Sequence, residues 1–287
     1  MELSEKLKQK VPFLLDGSMG AVLMANGYKP ADILPLNITN PEVIQDIHKG
    51  YFASGCDAVI TNTFNLNSFS LPHIDFSVRE ITEAALRNAL AAKNSFSNRF
   101  VALGLGPSGE KNFENAYELY KEILSIDYSD ADLVILETAG NTTDVEAARK
   151  AVRESSDLPF WASLTFKESE RTWFGTSLEE WTEYVNSSDI DAAGINCTLM
   201  PNEMLPLAIK LMQAIKIPCF AEPNRGQPKK TENGFKYDMN AEDYAQNLAK
   251  FYENGIYILG GCCGADSECM KRTTQILKRV WKCNIYE

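Results

Sequence analysis

Short apolar segments recur along the whole chain, and this repetition constrains the fold more than any other feature of the sequence. Each segment is followed by a turn rich in Gly, Asn, Thr or Pro, and then by a longer stretch with helical spacing of its apolar residues. The segments lie at residues 11–16, 57–62, 100–106, 132–137, 159–165, 191–197, 217–222 and 256–261. About eight such units are what a parallel barrel requires, so the sequence predicts an α/β fold with a single (β/α)8 TIM barrel.

The stretches between these segments have the pattern of amphipathic helices. In residues 141–154, Val145, Ala148 and Val152 fall on one face, and Thr142 or Thr143 is expected to cap the start. Similar spacing occurs in residues 77–93, 240–253 and 266–281. An open, doubly wound sheet would show the same periodicity. The number of units favours the barrel, and no Gly-rich dinucleotide fingerprint follows an early strand.

Composition is that of an ordinary globular protein. Hydrophobic residues make up 45% of the 287 residues and charged residues 23%. No linker, low-complexity tract or long charge run divides the chain, and one barrel of this type takes roughly 250 residues. We therefore expect residues 1–287 to form one domain.

The charge balance excludes some classes of partner. The chain has 28 Lys and Arg against 39 Asp and Glu, a formal net charge of −11, and it has no basic stripe to hold phosphates. No apolar run approaches the roughly 18 residues of a membrane-spanning helix, and the charged N-terminus lacks the apolar core of an export signal. The sequence thus predicts a cytoplasmic protein with neither a nucleic-acid nor a membrane partner.

Polar side chains stand where most of the apolar segments end. In a closed parallel barrel these carboxyl ends share one rim, and the active sites of such barrels lie there. We therefore expect residues far apart in sequence to converge on one site. They are Asp16, Asn62, Glu137, Asn196, Cys197, Asn224, Cys262 and Cys263.

Cysteine usage gives the strongest local signal, with 7 Cys beside only 2 His. Cys262 and Cys263 are adjacent and flanked by glycines, so both sulfurs can turn toward one ion, and Cys197 is the natural third ligand. Three thiolates on zinc leave one tetrahedral position open, as in catalytic sites. A vicinal disulfide and simple apolar packing are the alternatives that spacing leaves open. The other cysteines are expected to be packing residues, namely Cys56, Cys219, Cys269 and Cys283.

Seven motifs occur in a fixed order over essentially the whole chain. They are residues 14–20 (LLDGSMG), 61–64 (TNTF), 104–107 (GLGP), 136–138 (LET), 194–197 (GINC), 223–226 (PNRG) and 260–264 (GGCCG). In this order they resemble the homocysteine S-methyltransferase family. That family includes betaine–homocysteine methyltransferase and the homocysteine-binding module of cobalamin-dependent methionine synthase.

The resemblance implies a barrel enzyme that methylates the thiol of homocysteine to give methionine. It also implies a zinc ion held by Cys197, Cys262 and Cys263. For the substrate, it implies that Glu137 accepts the amino group, while Asp16 and the Gly17–Ser18 turn organise the acidic end. Further substrate contacts are expected from Asn62, Thr63 and Asn196, and Asn224 is expected to fill the open zinc position when substrate is absent.

The chemistry of such a site is physically consistent with its ligands. A free thiol with a pKa near 8.5 is mostly protonated at neutral pH, whereas the thiolate is the nucleophile. Zinc favours the thiolate, and three Cys ligands in place of neutral His keep the substrate sulfur electron-rich. The residues do not specify the methyl donor.

Several donors and acceptors are open at this point. S-methylmethionine, S-adenosylmethionine and methylcobalamin carried on a separate protein are the expected donors. Betaine is less expected, because the chain ends soon after its last predicted helix. Trp173 and Phe174 lie in a rim loop and could stack on a cationic donor. Another thiol or selenol such as selenocysteine is an alternative acceptor, and the chain could also be a homocysteine-binding subunit that acts only with a methyl-corrinoid protein.

Overall fold

Eight parallel strands form one sheet that curls into a nearly closed barrel. The computed structural model describes residues 1–231 and 234–284, and its strand order is β1-β10-β7-β6-β5-β4-β3-β2. The predicted (β/α)8 fold is therefore confirmed. The barrel strands are β1 (Phe13–Leu14), β2 (Ala58–Ile60), β3 (Phe100–Leu105), β4 (Leu133–Ala139), β5 (Phe160–Leu164), β6 (Ala192–Asn196), β7 (Cys219–Glu222) and β10 (Ile258–Leu259). Between β7 and β10 lies an antiparallel hairpin of β8 (Lys229–Thr231) and β9 (Gly234–Lys236).

Helices pack around the outside of this barrel. They are α1 (Leu3–Lys8), α2 (Met19–Ala25), α3 (Leu36–Thr39), α4 (Pro41–Ala53), α5 (Val78–Lys93), α6 (Phe113–Ile123), α7 (Thr142–Ser155), α8 (Leu178–Ser187), α9 (Pro201–Ala214), α10 (Ala241–Glu253) and α11 (Ser267–Asn284). One sequence expectation was wrong in detail. The cap of α7 is Asn141, whose side chain accepts from the Asp144 amide, because Thr142 is already helical.

Large side chains fill the lower half of the barrel interior. Trp161 lies between Phe13 and Phe220, with ring centroids 6.0 and 5.9 Å away. Toward the carboxyl ends, Gly194 and Gly260 replace bulky residues, and a Cβ atom at Gly194 would lie 2.6 Å from the Phe220 ring. Aromatic side chains thus fill the amino-terminal half of the barrel interior, whereas the glycines leave space near the carboxyl-terminal rim.

The seam between β1 and β2 is closed by side chains. No strand ladder joins these two short strands within the described residues. Instead, the Asp57 amide donates to the Leu14 carbonyl (2.7 Å) and the Leu14 amide donates to the Asp57 carboxylate (2.9 Å). Closer to the carboxyl ends of the strands, the Ile60 amide donates to Asp16 Oδ2 (3.1 Å). Two aspartates therefore take the place of ladder carbonyls at the last gap in the barrel.

The described helices include none that is both long and apolar enough to cross a bilayer.

His48 in α4 is completely buried, and neither ring nitrogen has a hydrogen-bond partner among the described residues. Burial disfavours the imidazolium and lowers the pKa of His48 to about 3. In the unfolded chain a histidine takes up a proton near pH 6.5. The folded state is therefore penalised as the pH falls from about 6.5 toward 3, and this penalty is absent above that range.

We expect His48→Leu to make the fold less sensitive to acid. Below about pH 6 the free energy of unfolding should fall less steeply than in the wild type, by up to about 1.4 kcal/mol per pH unit. Urea unfolding between pH 4.5 and 8 measures this slope. His73→Leu removes an exposed histidine and serves as the control. Identical slopes for wild type and His48→Leu would contradict the prediction.

Candidate functional site

Three thiols meet at the carboxyl-terminal rim. The sulfur atoms of Cys197, Cys262 and Cys263 all lie within 4.8 Å of one another, and Cys197 Sγ is 4.0 Å from Cys263 Sγ. Over residues 1–231 and 234–284, no other group of three His, Cys, Asp or Glu side chains has this spacing. Cys197 directly follows β6, and the other two follow β10, so two strands that are separated in the sheet only by β7 bring the trio together.

Backbone hydrogen bonds fix the loop that carries Cys262 and Cys263. The Gly261 amide donates to the Asp16 carbonyl (2.9 Å), and the Cys262 amide donates to the Pro223 carbonyl (3.0 Å). A Cβ atom at Gly261 would come within 2.3 Å of the Ala265 side chain, so this close approach requires glycine. The loop is therefore held between the end of β1 and the loop after β7.

Arg225 ties the same two loops together, a role that the sequence analysis missed. Its amide donates to the Cys263 carbonyl (2.9 Å), and its guanidinium donates to Asp266 Oδ2 (2.9 Å) and to the Met239 carbonyl (2.9 Å). The presence of an arginine in the PNRG motif was the available signal. Its partners could not be identified without the fold.

The thiol cluster favours one negative charge. Hydrogen bonds from the Cys197 and Cys262 thiols lower the pKa of Cys263 to about 3. Hydrogen bonds of Cys262 with Cys197 and with Cys263, together with burial, raise the pKa of Cys262 well above its usual range. A compact set of three thiols, one of which has a lowered pKa, suits a soft cation such as zinc, so these residues fit the metal that the sequence predicts.

Glu137 lies at the end of β4, beside a strained turn. Thr138 has a φ of 63°, which is unusual for a β-branched residue, and a bulge interrupts β4 between Leu136 and Ala139. Loss of solvation, followed by the charge of Cys197, raises the pKa of Glu137 to about 7. The turn therefore holds an acid next to the thiol cluster.

Asn196 stabilises this turn from β6. Its Oδ1 accepts from the Thr138 amide (2.8 Å) and from Ser163 Oγ (2.8 Å), and its Nδ2 donates to Thr138 Oγ1 (2.7 Å). Asn196 was predicted to contact substrate. The structure shows these polar atoms bonded to protein, so its visible role is to position the residue after Glu137.

Asp16, Gly17 and Ser18 form the turn that leads from β1 into α2. Asp16 is buried, and the amide of Ser18 donates to the Ala265 carbonyl (3.0 Å) while its hydroxyl accepts from the Ala21 amide (3.1 Å). A Cβ atom at Gly17 would lie 2.2 Å from that same Ala265 carbonyl. The turn is close to the GGCCG loop, but of the Ser18 donors only the hydroxyl hydrogen is left for a ligand.

The side chains of Asn62, Thr63 and Asn224 also lie at the rim and are bonded to protein. Asn62 Nδ2 donates to the Ile33 carbonyl (2.7 Å), and Thr63 Oγ1 donates to the Gly104 carbonyl (2.5 Å). Asn224 Oδ1 accepts from the Cys263 amide (3.0 Å). Contacts of these three residues with substrate or metal stay predictions.

The remaining described cysteines lie away from the rim. Cys56, Cys219 and Cys269 are buried among apolar side chains. Burial raises the pKa of Cys219 and of Cys269 to about 12, so neither is a reactive thiolate at neutral pH. The side chain of Cys283 lies outside the described residues.

The chain is similar to proteins that are named for methyl transfer to homocysteine or for methionine synthesis. A sequence profile described as homocysteine S-methyltransferase matches residues 13–277. Methionine synthase of Mycobacterium tuberculosis is 28% identical over 92% of this chain and 24% of its own length, and that of Mycobacterium leprae is 28% identical over 99% and 25%. The chain thus spans about a quarter of the length of these curated relatives.

Solved structures show the same fold. The metallated form of the homocysteine methyltransferase MmuM from Escherichia coli has a TM-score of 0.78 at 21% identity, covering 95% of this chain and 99% of that one. The oxidized form has a TM-score of 0.78 at 22% identity, covering 94% and 97%. The profile match extends over most of the sequence, from β1 to α11, and the chain therefore belongs to the homocysteine S-methyltransferase family, a family of methyl-transfer enzymes.

Proposed function

We propose that residues 1–287 form one homocysteine-binding barrel domain that methylates the homocysteine thiol and releases methionine. The observation that carries this proposal is the cluster of Cys197, Cys262 and Cys263 thiols beside Glu137. Such a site offers a place for a sulfur nucleophile and a carboxylate for its amino group. The names of the relatives, methionine synthase and homocysteine methyltransferase, support the same reaction.

The three cysteines would hold zinc. Their thiolate donors match the preference of this ion, and the metallated form of the Escherichia coli relative supports a metal at the family's site. When bound, zinc would act as a Lewis acid that keeps the homocysteine thiol in its deprotonated, nucleophilic form. Asn224 would supply its Oδ1, which also accepts a 3.0 Å hydrogen bond from the Cys263 amide, as the ligand when substrate is absent.

The protein's own residues would bind and orient the substrate. Glu137 accepts the ammonium, Asp16 and Gly17 border the acidic end, and Asn196 fixes the turn that aims Glu137. Contacts of Ser18, Asn62 and Thr63 with substrate are part of the same proposal. The aromatic plug below the site excludes water from beneath, so the thiol is exposed only toward the rim.

Methyl donors would approach from the rim. A cavity of about 590 Å³ lies among the loops that follow β5, β6 and β7, and its lining residues include Lys167, Glu168 and Thr198, the residue after Cys197. Trp173 and Phe174, in the loop after β5, are 67% and 77% exposed, and either aromatic ring could bind a sulfonium donor through a cation–π contact. S-methylmethionine, S-adenosylmethionine and methylcobalamin on a separate protein are the proposed donors, and a cytoplasmic location would keep the free thiols reduced.

We expect methionine to form from homocysteine with at least one donor of this panel. The zinc-loaded protein is assayed with S-methylmethionine, S-adenosylmethionine, and methylcobalamin both free and bound to a corrinoid protein. Parallel reactions with selenocysteine as the acceptor test the alternative substrate. Absence of methionine with every donor, in protein that contains zinc, would refute the proposed reaction.

We expect Cys197→Ala and Cys262→Ala to lose both zinc and methyl transfer, because two thiolates no longer complete the ligand set. Metal analysis of protein purified under reducing conditions gives the zinc content. Cys219→Ala is the matched control, since Cys219 is buried in β7 and bonded to the Ala208 carbonyl. Retention of one zinc per chain by both rim variants would contradict the assignment.

We expect Glu137→Gln to reduce kcat/KM for homocysteine by about 10- to 100-fold, the loss for one charged hydrogen bond. Zinc content should be unchanged, because Glu137 supplies no thiolate. Steady-state kinetics with the best donor of the panel measures the effect. An unaltered kcat/KM would remove Glu137 from the substrate site.

A further inference from the structure

A second glutamate lies inside the barrel with no partner. Glu222, the last residue of β7, is 0% exposed, and neither carboxylate oxygen has a hydrogen-bond partner among the described residues. A buried carboxylate without a partner costs folding free energy. A functional role is one explanation for such a group, and the residues around it then indicate which ligand it binds.

Glu222 faces the site. It lies two residues after Phe220, which belongs to the aromatic plug, so both side chains point into the barrel. Its Oε1 is 2.8 Å from the position that a Cβ atom at Gly260 would occupy, which shows that the carboxylate lies across this glycine. Its backbone carbonyl accepts from the Cys197 amide (3.0 Å), so the end of β7 is bonded directly to the first of the three rim cysteines.

The neighbours of Glu222 are acidic. The pKa of Glu222 is raised well above its usual range. Burial is the main cause, and the negative charges of Glu137, Asp16 and Cys197 add to it. Within the described residues no Lys or Arg forms a salt bridge with Glu222, Glu137 or Asp16. These carboxylates also lack the mutual spacing of a metal site. A small organic cation would pair with these carboxylates.

We propose that Glu222, together with Glu137, binds the α-ammonium of the acceptor and restricts acceptors to thiols that carry a free amino group. This inference rests on the proposed function. An ammonium has three N–H donors, which one carboxylate cannot satisfy alone. The absence of a side chain at Gly260 leaves room for the Glu222 carboxylate, and both carboxylate oxygens lack protein partners among the described residues, so they are available to accept.

The test compares binding of two thiols to the full zinc-loaded chain with no methyl donor present. L-homocysteine carries the ammonium, whereas 4-mercaptobutanoate has the same thiol and carboxylate without it. In Glu222→Gln, calorimetry should show homocysteine affinity lowered by about tenfold or more, and 4-mercaptobutanoate affinity within about twofold of wild type.

The control is Glu122→Gln, which removes the same charge from an exposed position on α6. Wild-type affinity for homocysteine in Glu222→Gln would overturn the inference. Equal loss of affinity for both thiols would also overturn it, because Glu222 would then shape the pocket rather than recognise the ammonium. Wild-type protein that binds neither thiol would instead overturn the proposed function.

Discussion

The seam between β1 and β2 is the constraint on which the rest of the barrel depends. Both strands are very short, and the aspartates at positions 57 and 16 supply the acceptors that a backbone ladder would otherwise provide. Asp16 also links this seam to the functional rim, because its carbonyl accepts from the Gly261 amide of the GGCCG loop. Asp16 therefore contributes both to closing the barrel, through its side chain, and to positioning the loop that carries Cys262 and Cys263, through its carbonyl.

Two residues at the carboxyl ends of strands beside the site have a strained backbone. Thr138 and Cys197 both have positive φ, at 63° and 60°, and both follow strand residues that face the pocket. Asn196 connects the two places, since it precedes Cys197 and is bonded to Thr138 through its side chain. Strain of this kind persists only where surrounding contacts enforce it, and it is common at functional sites.

The sequence predicted the barrel and the meeting of the three cysteines, but not the contacts that hold them. Eight apolar segments and seven ordered motifs are local patterns, and local patterns reveal strands and their ends. The bonds of Asn196 to Thr138 and of Arg225 to Asp266 join residues distant in sequence, so they depend on strand register and loop path. Glu222 could not be recognised as unpartnered, because the lack of a partner is a property of the folded interior.

The aromatic plug formed by Phe13, Trp161 and Phe220 gives the barrel a closed floor. Every molecule that reaches the thiol cluster must pass through the same upper mouth, and nothing can leave from below. If the acceptor binds through Glu137 and Glu222, as proposed above, it would therefore share this single entrance with the methyl donor.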